Sequence, residues 1–192
     1  MRRYDFIHKI EENPVIAAIK DEEGLEACLK TDIGVIFILY GDIGSIVGIV
    51  NRLKEGGKTA IVHIDLISGL QPKEVALDYI RNYTKADGII TTKYNLIPHA
   101  REIGLNTILR MFLLDSTAIS NFERNCASNA LQPDIMEVLP GALLPEVIRK
   151  IHDFCRVPVM FSGMITTKAQ VLNALDNGAI ATSTTNQKLW NI

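Results

Sequence analysis

The run Phe161-Ser162-Gly163-Met164-Ile165-Thr166-Thr167-Lys168, followed by a helical segment and then by Asn177-Gly178-Ala179-Ile180-Ala181-Thr182-Ser183-Thr184-Thr185-Asn186, decides how the rest of the chain is read. It spells strand, small-residue turn, helix, strand and a second turn rich in hydroxyls. Each turn follows the carboxyl end of an apolar strand. Backbone N–H groups at such a place, with no bulky side chains in the way, suit an anion. In an eight-stranded α/β barrel the loops after strands seven and eight are where a phosphate is usually held. If these are those loops, six more βα units must precede them.

Six can be counted. Pro14 to Lys20 is a continuous apolar run of the kind a parallel strand covered on both faces needs, and Asp21-Glu22-Glu23 then opens a helix at its positive end. Val35 to Tyr40 is the second strand, with a helix after Gly44 that stops at Gly56-Gly57. Thr59 to Asp65 is the third, and Gln71-Pro72 begins its helix with Pro72 in the first turn. Asp87 to Thr92, Asn106 to Leu113 and Pro133 to Val138 are the fourth, fifth and sixth, and Asp115-Ser116 caps the helix that runs to about Ala127. Val157 to Phe161 and Ala179 to Thr182 complete the set, with only a short tail behind. Strand cores therefore start near residues 15, 35, 60, 88, 107, 134, 157 and 179, and the gaps of 19 to 28 residues hold one short helix each. This predicts a single (β/α)8 TIM-type barrel over residues 1–192 with a short last helix, slightly below the ~200 residues usual for that fold. A doubly wound open sheet is the alternative, though open sheets seldom keep so regular a repeat to eight strands.

The totals agree with one well-packed domain. Hydrophobic residues make up 47% of the chain, yet nothing approaches the ~18 consecutive apolar residues of a membrane span. A net charge of −2 excludes a globally basic nucleic-acid binder but leaves room for a local patch, for which Arg52, Lys54 and Lys58, or Arg149, Lys150 and Arg156, are candidates. Both groups sit near helix C-termini, where cations are favourable anyway. The start, Met1-Arg2-Arg3, has no apolar run behind it and is not a secretory signal. Cys28, Cys126 and Cys155 are read as free buried thiols, and the expectation is a soluble cytoplasmic protein.

Polar residues at the carboxyl ends of barrel strands face the site. Here those are Lys20, Tyr40, His63, Asp65, Lys93, Arg110 and Glu137, with Ser162, Gly163, Met164, Ser183, Thr184 and Thr185 in the two late loops. The two-residue strand period puts His63 and Asp65 on one face. For each charge a structural alternative stands beside the ligand-binding one: Lys20 with Glu137, or Arg110 with Asp65, as ion pairs closing the barrel. His63 reads as a satisfied core histidine and Tyr40 as a rim residue. Asp134 precedes its strand's apolar core and belongs to the stability end. Lys20 or Lys93 would serve as a Schiff-base lysine if desolvated. The chain shows no metal-ligand cluster, P-loop, GxSxG elbow or carboxylate dyad, so neither a metal nor a cofactor is expected.

Several blocks resemble the glycerol uptake operon antiterminator regulatory proteins of bacteria, nearly end to end. They are Asn13 to Lys20, His63-Ile64-Asp65-Leu66-Ile67-Ser68-Gly69-Leu70, Thr91-Thr92-Lys93, Ala100 to Ser116, Pro133 to Gly141, and the closing Ser-Gly, Gly-Ala, Ser-Thr and Leu-Trp series. The resemblance implies a regulator without catalytic residues. It would sense glycerol 3-phosphate and act on leader mRNA so that transcription reads through a terminator. On that picture Ser162, Gly163, Met164, Ser183, Thr184 and Thr185 hold the phosphate, while Lys20, Asp65, Arg110 and Glu137 recognise the polyol and its charge. RNA would be engaged through a surface left unassigned, with a homo-oligomer as one route. Two other readings stay open. One is a barrel enzyme, an isomerase, aldolase or glyceryl-phosphate transferase, acting on a small phosphorylated substrate. The other is a phosphate-binding module without RNA.

Overall fold

Runs such as Val15–Ile19 (β1) and Val35–Ile38 (β2) have no polar face, so they are stable only where both sides are covered. In the computed structural model they are joined by Thr59–His63 (β3), Gly88–Thr91 (β4), Asn106–Phe112 (β5), Ile135–Leu139 (β6), Val159–Ser162 (β7) and Thr182–Thr184 (β8). Each strand pairs in parallel with the next, and β8 pairs back onto β1, which closes an eight-stranded TIM-type barrel. The structure describes residues 3–127 and 132–191. Residues 1–2, 128–131 and 192 of the expected 1–192 barrel lie outside them.

Helices cover the outside. Arg3–Glu12 (α1) precedes β1, and Glu22–Leu29 (α2), Ile46–Glu55 (α3), Glu74–Tyr83 (α4), Ile97–Glu102 (α5), Ser116–Ala127 (α6), Pro145–Phe154 (α7) and Lys168–Asp176 (α8) follow β1 to β7. After β8 comes one 3-10 turn, Gln187–Leu189, which is the expected short last helix. Among the described residues no helix is long and apolar enough to cross a membrane.

The strand registers place inward side chains in layers of four, each layer drawn from alternate strands. Ile16, Ile61, Ile108 and Met160 form a wholly apolar layer. Above it lie Phe37, Ile90, Glu137 and Ser183, and above those Ala18, His63, Arg110 and Ser162. The barrel's interior thus turns from apolar to polar within two layers as it approaches its C-terminal mouth. The opposite mouth is closed by α1, whose Phe6 and Ile10 are fully buried against the inward residues.

Several elements differ from expectation. The N-terminal segment, read as polar and unassigned, is the helix that plugs the barrel. β3 ends at His63, and Asp65 falls in a 3-10 turn, Ile64–Leu66, so the two residues do not share a strand face. Pro72 lies before the helix rather than in it, because Lys73 is the N-cap of α4. β8 begins at Thr182 rather than Ala179. Asp115 does cap α6, its Oδ1 accepting from the Ala118 amide at 2.8 Å. Asp134 serves the amino end of the barrel as expected, its Oδ2 accepting from the Thr107 amide and hydroxyl at 2.8 and 3.0 Å. The cysteines are free, but Cys155 is only half-buried and its Sγ lies 2.7 Å from that of Cys126, joining α6 to α7.

Candidate functional site

At the C-terminal mouth a cavity of about 200 Å³ opens between the β7 and β8 loops. All six residues expected to hold an anion, Ser162, Gly163, Met164, Ser183, Thr184 and Thr185, line it. Its shape comes from local backbone chemistry. Gly163 and Met164 both adopt left-handed conformations, at φ 76° and 58°, which turn the chain sharply out of β7. Glycine takes that conformation freely, whereas methionine is held there at a cost. The turn is backed by Gly141 in the preceding loop, whose amide donates to Gly163 O at 2.9 Å. Gly141 sits so close to β7 that a Cβ would lie 2.7 Å from Ser162 N. Across the cavity, Thr184 Oγ1 donates to Ile165 O at 2.8 Å, and Trp190 Nε1 donates to Thr184 O at 2.9 Å. These bonds tie the two loops and the closing 3-10 turn into one wall.

The donors left over are what matters chemically. The α8 N-terminus satisfies itself: Gln170 Oε1 accepts from the amides of Thr166 and Thr167 at 2.8 and 3.1 Å, in a capping box. By contrast, the amides of Gly163, Met164, Ile165 and Thr185, all on residues lining the cavity, make no hydrogen bond among the described residues. Arg110 enters the same cavity. Its Nε donates to Glu137 Oε2 at 2.7 Å, and its two Nη nitrogens make no hydrogen bond among the described residues. Glu137 is 0% exposed and Arg110 only 8%. Ser183 Oγ lies 3.3 Å from Glu137 Oε1 and 2.8 Å from Ser162 Oγ. A hydroxyl carries one proton, so the consistent chain runs from Ser162 to Ser183 to the carboxylate. Glu137 therefore uses both oxygens to fix a guanidinium and two serines around an anion-sized space.

The four residues expected to recognise a polyol do not gather. Arg110 joins the anion wall, and Glu137 lies one layer beneath it. Lys20 lines an adjacent polar cavity of about 210 Å³ with Asp21, Glu23, Gln187 and Trp190. The two cavities meet at Ala18 and Thr185. Asp65 is committed to the end of β4, accepting from Thr91 Oγ1, Thr92 N and Thr92 Oγ1, each at 2.7 Å. The alternative ion pairs, Lys20 with Glu137 and Arg110 with Asp65, give way to Arg110 with Glu137. Nor is His63 a satisfied core histidine: it is 2% exposed, yet its buried Nδ1 has no hydrogen-bond partner among the described residues. Burial, helped by the nearby Arg110 charge, lowers its pKa to about 4, so the ring is neutral at pH 7. Tyr40 packs at the rim against Glu22. Among the described residues no group of histidines, cysteines and carboxylates has a metal-binding arrangement. Sequence reasoning also missed Leu39, Leu139, Ile165 and Asn186 in the cavity wall, and Gly141 behind it.

A family model described as glycerol-3-phosphate responsive antiterminator matches residues 15–190. The chain is 36% identical over 186 residues to YgcP, an uncharacterized protein of Escherichia coli K12, covering 97% of this chain and 96% of that protein. Among solved structures it resembles the glycerol uptake operon antiterminator regulatory protein of Listeria monocytogenes at 31% identity and a TM-score of 0.87, over 93% of this chain and 95% of that one. It also resembles a glycerol uptake operon antiterminator-related protein of Thermotoga maritima at 32% identity and a TM-score of 0.80, over 92% and 96%. An orotidine 5'-phosphate decarboxylase from Pyrococcus horikoshii, at 19% identity and a TM-score of 0.67, covering 88% of each chain, shares the fold alone.

Proposed function

The chain belongs to the glycerol-3-phosphate responsive antiterminators, and from that premise we propose that it is a sensor whose effector, glycerol 3-phosphate, binds in the cavity between the β7 and β8 loops. The observation that carries this reading is the Arg110 guanidinium: anchored through Nε by buried Glu137, with neither Nη bonded among the described residues, it lines a cavity whose Gly163, Met164, Ile165 and Thr185 amides likewise make no hydrogen bond among those residues. A guanidinium matches phosphate oxygens two at a time, and unpaired amides supply further donors without adding bulk. Ser162 and Ser183 lie beside them. The cavity, at about 200 Å³, is smaller than the ~300–1,000 Å³ that drug-sized ligands occupy. That size suits a three-carbon phosphate better than a nucleotide.

On this reading the loaded protein acts on the leader mRNA of glycerol-utilisation genes so that transcription reads through a terminator, either as a single chain or as a homo-oligomer. The test is leader-RNA binding with and without glycerol 3-phosphate. The ligand should raise the thermal midpoint, since it binds only the folded state, and should tighten RNA binding in a salt-dependent way. RNA affinity that is identical with and without the ligand would remove the coupling that defines a sensor.

One observation favours a second reading. His63, Arg110 and Glu137 place three ionisable groups beside an anion cavity, as a barrel enzyme acting on a phosphorylated substrate would. Turnover of any member of a panel of phosphorylated polyols and sugars, lost in Glu137→Gln, would establish it. In a sensor that variant weakens binding and no product forms from any of them.

A further inference from the structure

The layer that floors the mouth has four members, Ala18, His63, Arg110 and Ser162. Three of them line the cavity, and His63 is the fourth. The layer above repeats the pattern. Leu39, Leu139 and Thr185 line the cavity, and the ring is completed by Thr92 at the end of β4, next to β3. An anion held by the β7 and β8 loops and by Arg110 leaves the rest of its molecule few directions besides the adjacent Lys20 cavity, which meets this one at Ala18 and Thr185. Beneath the floor lie Phe37 and Ile90, which are apolar and fully buried, with Glu137 and Ser183, whose polar atoms are already paired. Outward is solvent. Across the floor toward β3 the polar groups still uncommitted are few, because Ser162 and Ser183 are engaged in the chain to Glu137. His63 Nδ1 is the exception: a buried nitrogen without a partner among the described residues, which native structures rarely keep unless something else satisfies it.

We propose that His63 is the residue that recognises the hydroxyl-bearing end of the ligand, through a hydrogen bond at Nδ1, and so distinguishes glycerol 3-phosphate from phosphate alone. This rests on the reading above that glycerol 3-phosphate is the effector. The chemistry fits the assignment. A neutral imidazole has one nitrogen that donates and one that accepts, and a hydroxyl can answer either. An uncharged ring beside Arg110 leaves the phosphate to the guanidinium and selects for a group that a bare anion lacks. A site that hydrogen-bonds a hydroxyl rejects the analogue without it, since its own polar atom is then left unpaired.

The experiment is calorimetric titration of the full chain, with the wild type, His63→Leu and His63→Asn compared on four ligands. The ligands are glycerol 3-phosphate, inorganic phosphate, 3-hydroxypropyl phosphate and 2-hydroxypropyl phosphate. His63→Leu should weaken glycerol 3-phosphate by about tenfold and leave inorganic phosphate within about twofold. One of the two deoxy compounds should bind the wild type about as weakly and be indifferent to the substitution. His63→Asn, which keeps an amide near the Nδ1 position, should recover most of the loss. Equal weakening of all four ligands, or none, overturns the assignment. Ring nitrogen-15 resonances of the wild type give a second measurement that does not depend on a variant folding: His63 should shift with glycerol 3-phosphate and not with inorganic phosphate, and an unmoved ring overturns the assignment as well. If the wild type binds inorganic phosphate but shows no preference for glycerol 3-phosphate, the effector reading fails. If it prefers glycerol 3-phosphate and His63 makes no difference, only the role of His63 fails.

Discussion

The Arg110–Glu137 pair allows stability and recognition to be separated by experiment. Its carboxylate is 0% exposed and its guanidinium nearly buried, with one close contact of 2.7 Å between them. Removing two such charges from water costs several kcal/mol per ion, and a single good contact seldom returns more than that. Arg110→Met should therefore cost about 3–5 kcal/mol, because Glu137 would keep its burial and lose its cation. At roughly 2–4 °C per kcal/mol for a chain of this size, the thermal midpoint should fall by about 6–20 °C. Adding Glu137→Leu removes the stranded charge and sets an apolar side chain among Phe37, Ile90 and Met160. The double variant should return to within about 1 kcal/mol of the wild type, or exceed it. Ser183 loses its acceptor but keeps Ser162 as a neighbour at 2.8 Å.

The ligand response should go the other way. Glycerol 3-phosphate at a hundredfold over its Kd stabilises a folded-state binder by about 2.7 kcal/mol. The wild type should show that gain and the repacked double variant should not, although it is the more stable of the two variants. Thermal or urea denaturation of all four members of the cycle, each with and without ligand, measures both effects. Two results would refute the reasoning. One is energies that add to within about 0.5 kcal/mol, which would mean that the two residues do not depend on each other. The other is full ligand stabilisation in the double variant, which would mean that the guanidinium is not the anion receptor.

Three further outcomes are expected. His63 has a folded pKa of about 4, below the ordinary value of about 6.5, so the unfolded chain binds the extra proton in between. Stability should be full above about pH 6.5 and fall by up to about 3 kcal/mol on the way down to about pH 4, and His63→Asn should flatten that part of a midpoint-versus-pH curve. Asp65→Ala should cost about 1–3 kcal/mol by freeing the Thr91 hydroxyl and the Thr92 amide and hydroxyl, while glycerol 3-phosphate affinity measured by titration stays within a few-fold. Gly141→Ala sets a Cβ 2.7 Å from Ser162 N and 2.9 Å from Phe161 C, backbone atoms that cannot step aside. It should destabilise by about 1–3 kcal/mol and, unlike Asp65→Ala, weaken glycerol 3-phosphate strongly, because the displaced backbone carries the Gly163 turn.

What could be read from the sequence follows from which physical signals are local. A parallel strand covered on both faces must be a continuous apolar run, so eight such runs at near-regular spacing announced a barrel. Where an apolar run gives way to a polar residue is also local, and it put Arg110, Glu137 and the late serines toward the mouth. The plugging helix α1 was harder to see, since its burial rests on Phe6 and Ile10, one turn apart, with Ile7 partly buried beside them, in a segment that is otherwise mostly polar. Which side chains touch across strands is a matter of register, and no single strand carries it. A slip of one residue between β5 and β6 would set Arg110 against an outward Met136 or Val138 instead of Glu137. Even so, a clue to that register was present. Asp134, read as a stability residue at the amino end of its strand, bonds Thr107 across an offset of 27 residues, and the same offset carries Arg110 onto Glu137. A carboxylate placed just before an apolar strand, with a threonine in second place on the strand before it, therefore fixes two levels of the barrel at once: the clasp at its base and the ion pair at its mouth.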